Sequence, residues 1–330
     1  MFYMLANVHH QIATGEVLPS LDRFWHYLPD LPFGIQSAAA SFQLDLSMSC
    51  SIHPSFSRLR SLASISLKDN PGLRGKVPEY FSQLSSLSSL DISGNYFEGQ
   101  FPTEIFQLKS LTTLDLSENP MLFVKFTYFP AGNNLQNLNL VGTNFAYDTP
   151  LSFANLTSLQ TLSLTTGTMA KELPTSIRFP SLNILGLEGS GLEKPVLSWV
   201  GNLKDLKYLS LDGYDFSQST LSWINNLTWL ETLYIQTCSA SVPIPYQIGT
   251  LAYLTDLALI TCYASVQQIP SFIGNLTKLT SLTIAGFNFS GPIPYQIGNL
   301  ANLRELSIEG CDFSGYQIPP WIGNLTKLIF

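Results

Sequence analysis

Charge is scarce in this chain. Asp, Glu, Lys and Arg make up only 12% of its 330 residues, about half the share usual in soluble domains. A surface so poor in charge must hold water through Ser, Thr and Asn, or through sugar added later. Basic residues are the rarer sign, and the net charge of −7 leaves no positive face for nucleic acid or anionic lipid. The acidic residues are scattered rather than gathered in a tail. No run of about 18 apolar residues occurs, so no transmembrane segment is expected in this chain. Residues 1–15 lack the basic flank and long apolar stretch of a secretory leader, because His9, His10 and Gln11 interrupt them.

Histidine and cysteine are also few, at four each. His9, His10, His26 and His53 all precede the regular part of the chain, and none pairs with a carboxylate or thiol at metal-ligand spacing. Serines are plentiful, yet none stands in a G-x-S-x-G elbow, and no glycine loop is patterned to cradle phosphate. No enzyme, metal or cofactor is expected from these residues.

What the chain does have is a repeat. The pattern L-x-x-L-x-L recurs with leading leucines Leu87, Leu111, Leu135, Leu159, Leu182, Leu206, Leu230, Leu254, Leu279 and Leu303, 23 to 25 residues apart. An earlier copy starts at Leu62, a degraded one covers Phe42 to Leu62 with Leu44 and Leu46, and Leu328 opens one more. The alternating core predicts a strand with inward leucines and outward polar residues. One strand per repeat, stacked in parallel, predicts a curved sheet whose outward side chains form a concave face. A single repeat cannot bury its own apolar side, so stability must be cooperative along the stack. Residues 1–40 read as a poorly defined non-repeat segment, and 41–330 as an array of about eleven repeats that ends inside one at Phe330. An array cut there should leave leucine faces open.

Asn95 and Asn119 follow their strands at one fixed position. An amide there offers a donor and acceptors to the backbone buried at the inward turn, so stacked copies can form a ladder. Later repeats replace it with Thr143, Gly167, Ser190, Tyr214, Cys238, Cys262, Phe287 and Cys311, and a less regular inner turn is expected there. Cys238 and Cys262 would lie on adjacent strands about 4.8 Å apart, so a bridge is sterically open, with buried free thiols the simpler reading. Cys50 has no evident partner.

The second half of each repeat identifies a subclass. Gly99, Phe101, Pro102, Ile105 and Leu108 follow one strand; Gly291, Ile293, Pro294, Ile297, Gly298, Asn299 and Leu300 follow another. Gly315, Ile318, Pro319, Ile322, Gly323, Asn324 and Leu325 repeat the theme, with a looser version at Gly75, Val77 and Pro78. This resembles the plant-specific leucine-rich repeat over residues 41–330, and within it the ectodomain of a receptor-like protein of the disease-resistance kind. The resemblance implies an α/β leucine-rich repeat solenoid, a horseshoe with a parallel concave sheet and irregular or short helical segments on its convex side. The x-x-I-G-N-L stretch reads as a short helical turn closed by its glycine.

The resemblance also implies a receptor on the extracellular side of the plasma membrane that binds a peptide or protein ligand and signals through a co-receptor kinase. Three readings compete: a secreted inhibitor of a pathogen enzyme, the ectodomain of a receptor kinase, and the repeat region of an intracellular nucleotide-binding sensor, whose repeats usually lack the G-x-I-P stretch. The family normally places a cysteine-containing cap and a signal peptide before the array and a cap after it. Their absence here reads as an internal fragment or an incomplete gene model.

Two sets of residues carry the functional expectation. Glu188, Tyr208, Asp212, Tyr234, Gln236 and Asp256 fall on outward strand positions, with Glu188, Asp212 and Gln236 in one row. Aromatic rings beside carboxylates suit a basic peptide, although the same residues could simply make a solvated sheet face. Five N-x-S/T sequons, at Asn155, Asn226, Asn275, Asn288 and Asn324, are candidate glycosylation sites. All but Asn288 stand four residues before the next leading leucine, which would set sugars in a row. Recurrent acids such as Asp91 and Asp115 read as strand residues facing solvent.

Overall fold

The computed structural model describes residues 41–43, 52, 54–126, 128–146, 151–165, 177–189, 194–213, 221–237, 244–261, 268–286, 291–310 and 317–329. The segment 1–40, all four histidines, all four cysteines, Asn288, and the ladder positions Gly167, Ser190, Tyr214 and Phe287 lie outside the described residues.

One strand per repeat builds a parallel sheet of 12 strands. In chain order these are β1 (Ser41–Gln43), β2 (Ser64–Ser66), β4 (Ser89–Asp91), β6 (Thr113–Asp115), β8 (Asn137–Leu140), β10 (Thr161–Thr165), β11 (Ile184–Glu188), β12 (Tyr208–Asp212), β13 (Thr232–Thr237), β14 (Asp256–Thr261), β15 (Ser281–Ala285) and β16 (Glu305–Glu309). Every neighbour in the sheet is the next repeat, and the leucines pair in register: Leu162 faces Leu185, which faces Leu209, then Leu233 and Leu257. Slipping this register by one residue would turn every leucine out to water, and this fixes the pairing. In the degraded first copy Phe42 pairs with Ile65. Its strand core therefore begins at Phe42, ahead of Leu44 and Leu46, which lie outside the described residues.

A second, four-stranded parallel sheet was not anticipated. It consists of β3 (Arg74–Gly75), β5 (Tyr96–Gln100), β7 (Met121–Lys125) and β9 (Asn144–Ala146). Its first three strands each follow a buried ladder asparagine, Asn70, Asn95 or Asn119, and β9 follows Thr143. The ladder itself has one more rung than expected. Asn70 is fully buried and donates to the Leu67 and Lys68 carbonyls, while its own N–H donates to the Asn95 side-chain oxygen at 3.0 Å. Asn95 donates to the Leu67, Ile92 and Ser93 carbonyls. At Thr143 the rung shrinks to a single hydroxyl bond to the Leu140 carbonyl, 2.7 Å long.

Convex segments are mostly 3-10 turns, as in Thr103–Gln107, Ser271–Asn275 and Tyr295–Asn299. One described α-helix, α1 (Lys194–Val200), takes that place in its repeat. The expectation that glycine closes these turns as a C-terminal cap is corrected. Leu276 is the cap of the Ser271–Asn275 turn, and Gly274 sits inside it without a left-handed φ. A side chain at Gly274 would run into the backbone of Gln296 in the next repeat, so glycine is there to let adjacent turns approach. A left-handed glycine is needed instead at the strand exit: Gly286 has φ +78, and a Cβ there would strike the Thr261 carbonyl.

Between the two sides lies one continuous core of leucine, isoleucine and phenylalanine. Its aromatic spine was not read from the sequence: Phe101, Phe106, Phe126, Phe129, Phe153, Phe179 and Trp199 contact one another in turn, with ring centres 5.1–6.0 Å apart. At β16 the leucine-position side chains Leu306 and Ile308 are only partly buried, unlike Leu282 and Ile284 beside them.

Candidate ligand-binding face

Outward residues of the large sheet form three rows running across the strands. The central part of the first row is Ile184, Tyr208, Thr232 and Asp256; the second is Ser163, Gly186, Ser210 and Tyr234; the third is Thr165, Glu188, Asp212, Gln236 and Ile260. Glu188, Asp212 and Gln236 thus stand side by side as expected, because each follows its strand's second leucine-position residue.

The small residues of the second row make a shallow trough between the outer two. Tyr234 ends it, and its hydroxyl donates to the Gln236 side-chain oxygen Oε1 at 2.5 Å, which braces both side chains. Asp256 accepts from the Thr255 hydroxyl at 2.6 Å. Asp212 is half-buried, and its carboxylate enters no ion pair or side-chain hydrogen bond among the described residues. Burial raises the Glu188 carboxyl above the ordinary range, with Asp212 and then Glu118 adding repulsion in the same direction. The Tyr234 hydroxyl is raised too, by burial first, then by Asp212 and Tyr208. The trough is therefore a place where negative charge is held close together, and an added cation would relieve it.

Beside this patch stands Ile184, which sequence reasoning passed over. It is 39% exposed, next to Tyr208 at 37%, so the trough has an apolar wall on one side and an acidic one on the other. Its outward strand position was the available signal. Asp91 and Asp115 correct the expectation of plain solvent-facing acids. Each is half-buried and accepts from the N–H and hydroxyl of the serine two residues on, at 3.0 and 2.6 Å. That bonding ties them to the strand exit.

The sequons divide. Asn155, Asn226, Asn275 and Asn324 each end a 3-10 turn. Asn226, Asn275 and Asn324 are exposed, but the Asn155 side-chain nitrogen donates to the Phe129 carbonyl at 2.8 Å from a half-buried position. Among the described residues no three His, Cys, Asp or Glu gather to hold a metal, and no helix is long and apolar enough to cross a membrane.

Comparison with known proteins agrees with the architecture. The family described as Leucine-rich repeat region matches residues 165–312, and Leucine Rich Repeat matches 86–108 and 302–325. The chain carries a leucine-rich repeat domain. Among solved structures, this leucine-rich repeat solenoid is similar to the plant peptide hormone receptor RGFR1 in complex with RGF2, at 23% identity and a TM-score of 0.58, covering 88% of this chain and 48% of that one. It is similar to a TDR receptor at 25% identity and 0.57, covering 86% and 50%. A Leptospira interrogans LRR protein gives 22% identity and 0.59, covering 94% and 86%. The chain spans about half the length of the two receptors. Among curated proteins, none matches this sequence.

Proposed function

We propose that this domain is the ligand-recognising part of a plant cell-surface receptor-like protein. It acts on the outer side of the plasma membrane, binds a peptide or protein ligand on its concave face, and signals in defence through a partner kinase. The observation that carries the reading is the half-buried Glu188–Asp212–Gln236 row facing Tyr208 and Ile184 across a trough of small residues. Its chemistry favours an extended peptide with a Lys or Arg side chain over the acidic row and an apolar side chain against Ile184 and Tyr208. The G-x-I-P repeat supports the plant assignment, and a solenoid of the same fold is a peptide hormone receptor in RGFR1. Exposed Asn226, Asn275 and Asn324 are proposed as glycosylated, which suits an exported chain short of charge.

The test is an array of short peptides, basic, acidic and neutral, probed with the purified chain. Basic peptides with a neighbouring apolar residue are expected to be retained, and a Glu188→Gln/Asp212→Asn chain is expected to lose them. Retention without regard to peptide charge, or unchanged in the double variant, would remove the concave row from the account.

A further inference from the structure

A second surface lies on the flank, where each convex turn leads back into the next strand. The residue before each leading leucine forms a row there, which runs Asp205, Trp229, Tyr253, Lys278. Two large rings stand exposed in it, Trp229 at 53% and Tyr253 at 40%. Their centres are 4.7 Å apart, and the Lys278 ammonium sits 3.7 Å from the centre of the Tyr253 ring. Tyr253 is engaged by both neighbours, and Trp229 is the more open ring.

On the other side of Asp205 the flank opens into a cleft of about 370 Å³, near the lower end for small-ligand sites. Phe179, Leu182 and Leu203 form its buried floor, and Arg178, Lys204 and Asp205 stand exposed at its rim. It falls where the repeat is irregular: Phe179–Pro180 replaces the Leu–Thr of Leu156–Thr157 and Leu227–Thr228, and α1 follows in place of a 3-10 turn. Arg178 and Lys204 form no ion pair among the described residues, whereas nearby Lys207 is paired with Glu231 at 3.0 Å. With strands about 4.8 Å apart, the row from Asp205 to Lys278 runs on the order of 15 Å.

We propose that this flank binds an acidic oligosaccharide, a chain of sugar rings that bear carboxylates. A pyranose presents a face of C–H bonds that can lie on Trp229 and an edge of hydroxyls and carboxylate that can reach cations. Arg178 offers a planar fork to a carboxylate, and Lys204 and Lys278 offer point charges. The chain carries −7 overall, whereas along this flank Arg178, Lys204 and Lys278 outnumber the carboxylate of Asp205, unpaired among the described residues, a local positive balance that an anion would match. An apolar peptide side chain would gain less, since the rings stand out on the flank and line no deep pocket.

This proposal is independent of the concave-face reading, and one calorimetric series tests it on the full chain. A six-residue galacturonic acid oligomer is titrated alongside a neutral glucose oligomer and hexaglutamate. The galacturonic acid oligomer is expected to bind about tenfold or more tighter than either. Trp229→Ala and the double variant Arg178→Gln/Lys204→Gln are each expected to weaken it by about tenfold or more, whereas Glu188→Gln/Asp212→Asn leaves it unchanged. All three flank residues are exposed, so the variants should fold, and circular dichroism checks this. Equal binding of hexaglutamate would reduce the flank to a plain cation patch and overturn the proposal. Full affinity in Trp229→Ala, or no binding of the galacturonic acid oligomer, would do the same.

Discussion

Asn119→Ala removes a fully hydrogen-bonded rung of the inner turn. The Asn119 side-chain oxygen accepts from the Phe97 N–H at 3.1 Å, and its nitrogen donates toward the Ile92, Leu116 and Ser117 carbonyls at 2.9, 3.0 and 3.1 Å. Its side chain is fully buried, so bulk water does not replace these partners. Two hydrogens serve three carbonyls, which limits the strong donations to two. Orphaning the Phe97 amide and one or two carbonyls, at about 1–3 kcal/mol each, gives a loss of about 3–5 kcal/mol. Thr143→Ala removes a single hydroxyl bond and should cost only about 1 kcal/mol. Asn119→Asp keeps the acceptor for Phe97 but turns an oxygen toward three carbonyls, so it should cost at least as much as alanine and recover in acid. Urea unfolding measures the loss, and hydrogen exchange localises it, because a solenoid can open in part. If Asn119→Ala costs no more than Thr143→Ala, the ladder does not hold the turn as argued.

Three further expectations follow from the same geometry. Gly274→Ala forces a methyl against the Gln296 backbone and should cost about 1–3 kcal/mol, whereas Gly323→Ala, in the same I-G-N-L context but with no atom within 4 Å, should be neutral or slightly stabilising in the same urea assay. Because burial, Asp212 and Glu118 raise the folded-state Glu188 pKa, this group favours folding below the ordinary carboxylate range and loses that contribution as pH rises through its folded value. Glu188→Gln should therefore be more stable than the parent at neutral pH, with the difference closing in acid; a difference that grows in acid refutes the sign. On secretion from a glycosylating host, Asn226→Gln, Asn275→Gln and Asn324→Gln should each remove one glycan by mass. Asn155→Gln should remove none, because the Asn155 nitrogen is committed to Phe129.

The sequence made the fold legible because a strand period of two and a repeat near 24 residues reinforce each other eleven or so times over. Leu87, Leu90 and Ile92 leave little freedom once their counterparts recur in register. The second sheet was harder to read: β5 and β7 mix buried Phe97, Leu122 and Val124 with exposed Tyr96 and Met121. The glycine of I-G-N-L misled because its reason for being there is a contact in the next repeat, invisible in the local pattern. At the candidate site, the row of Glu188, Asp212 and Gln236 followed from strand phase alone. The bond between Tyr234 and Gln236, the trough at Gly186 and the wall at Ile184 depend on side-chain placement, which periodicity does not specify.

The acidic row of the concave face is proposed to select the ligand. Its most direct test is the affinity of the best-retained basic peptide for an Asp212→Lys chain, measured by calorimetry beside the parent. A loss of about tenfold or more and a shift of preference toward acidic peptides are expected. Unchanged affinity with unchanged preference would contradict that role.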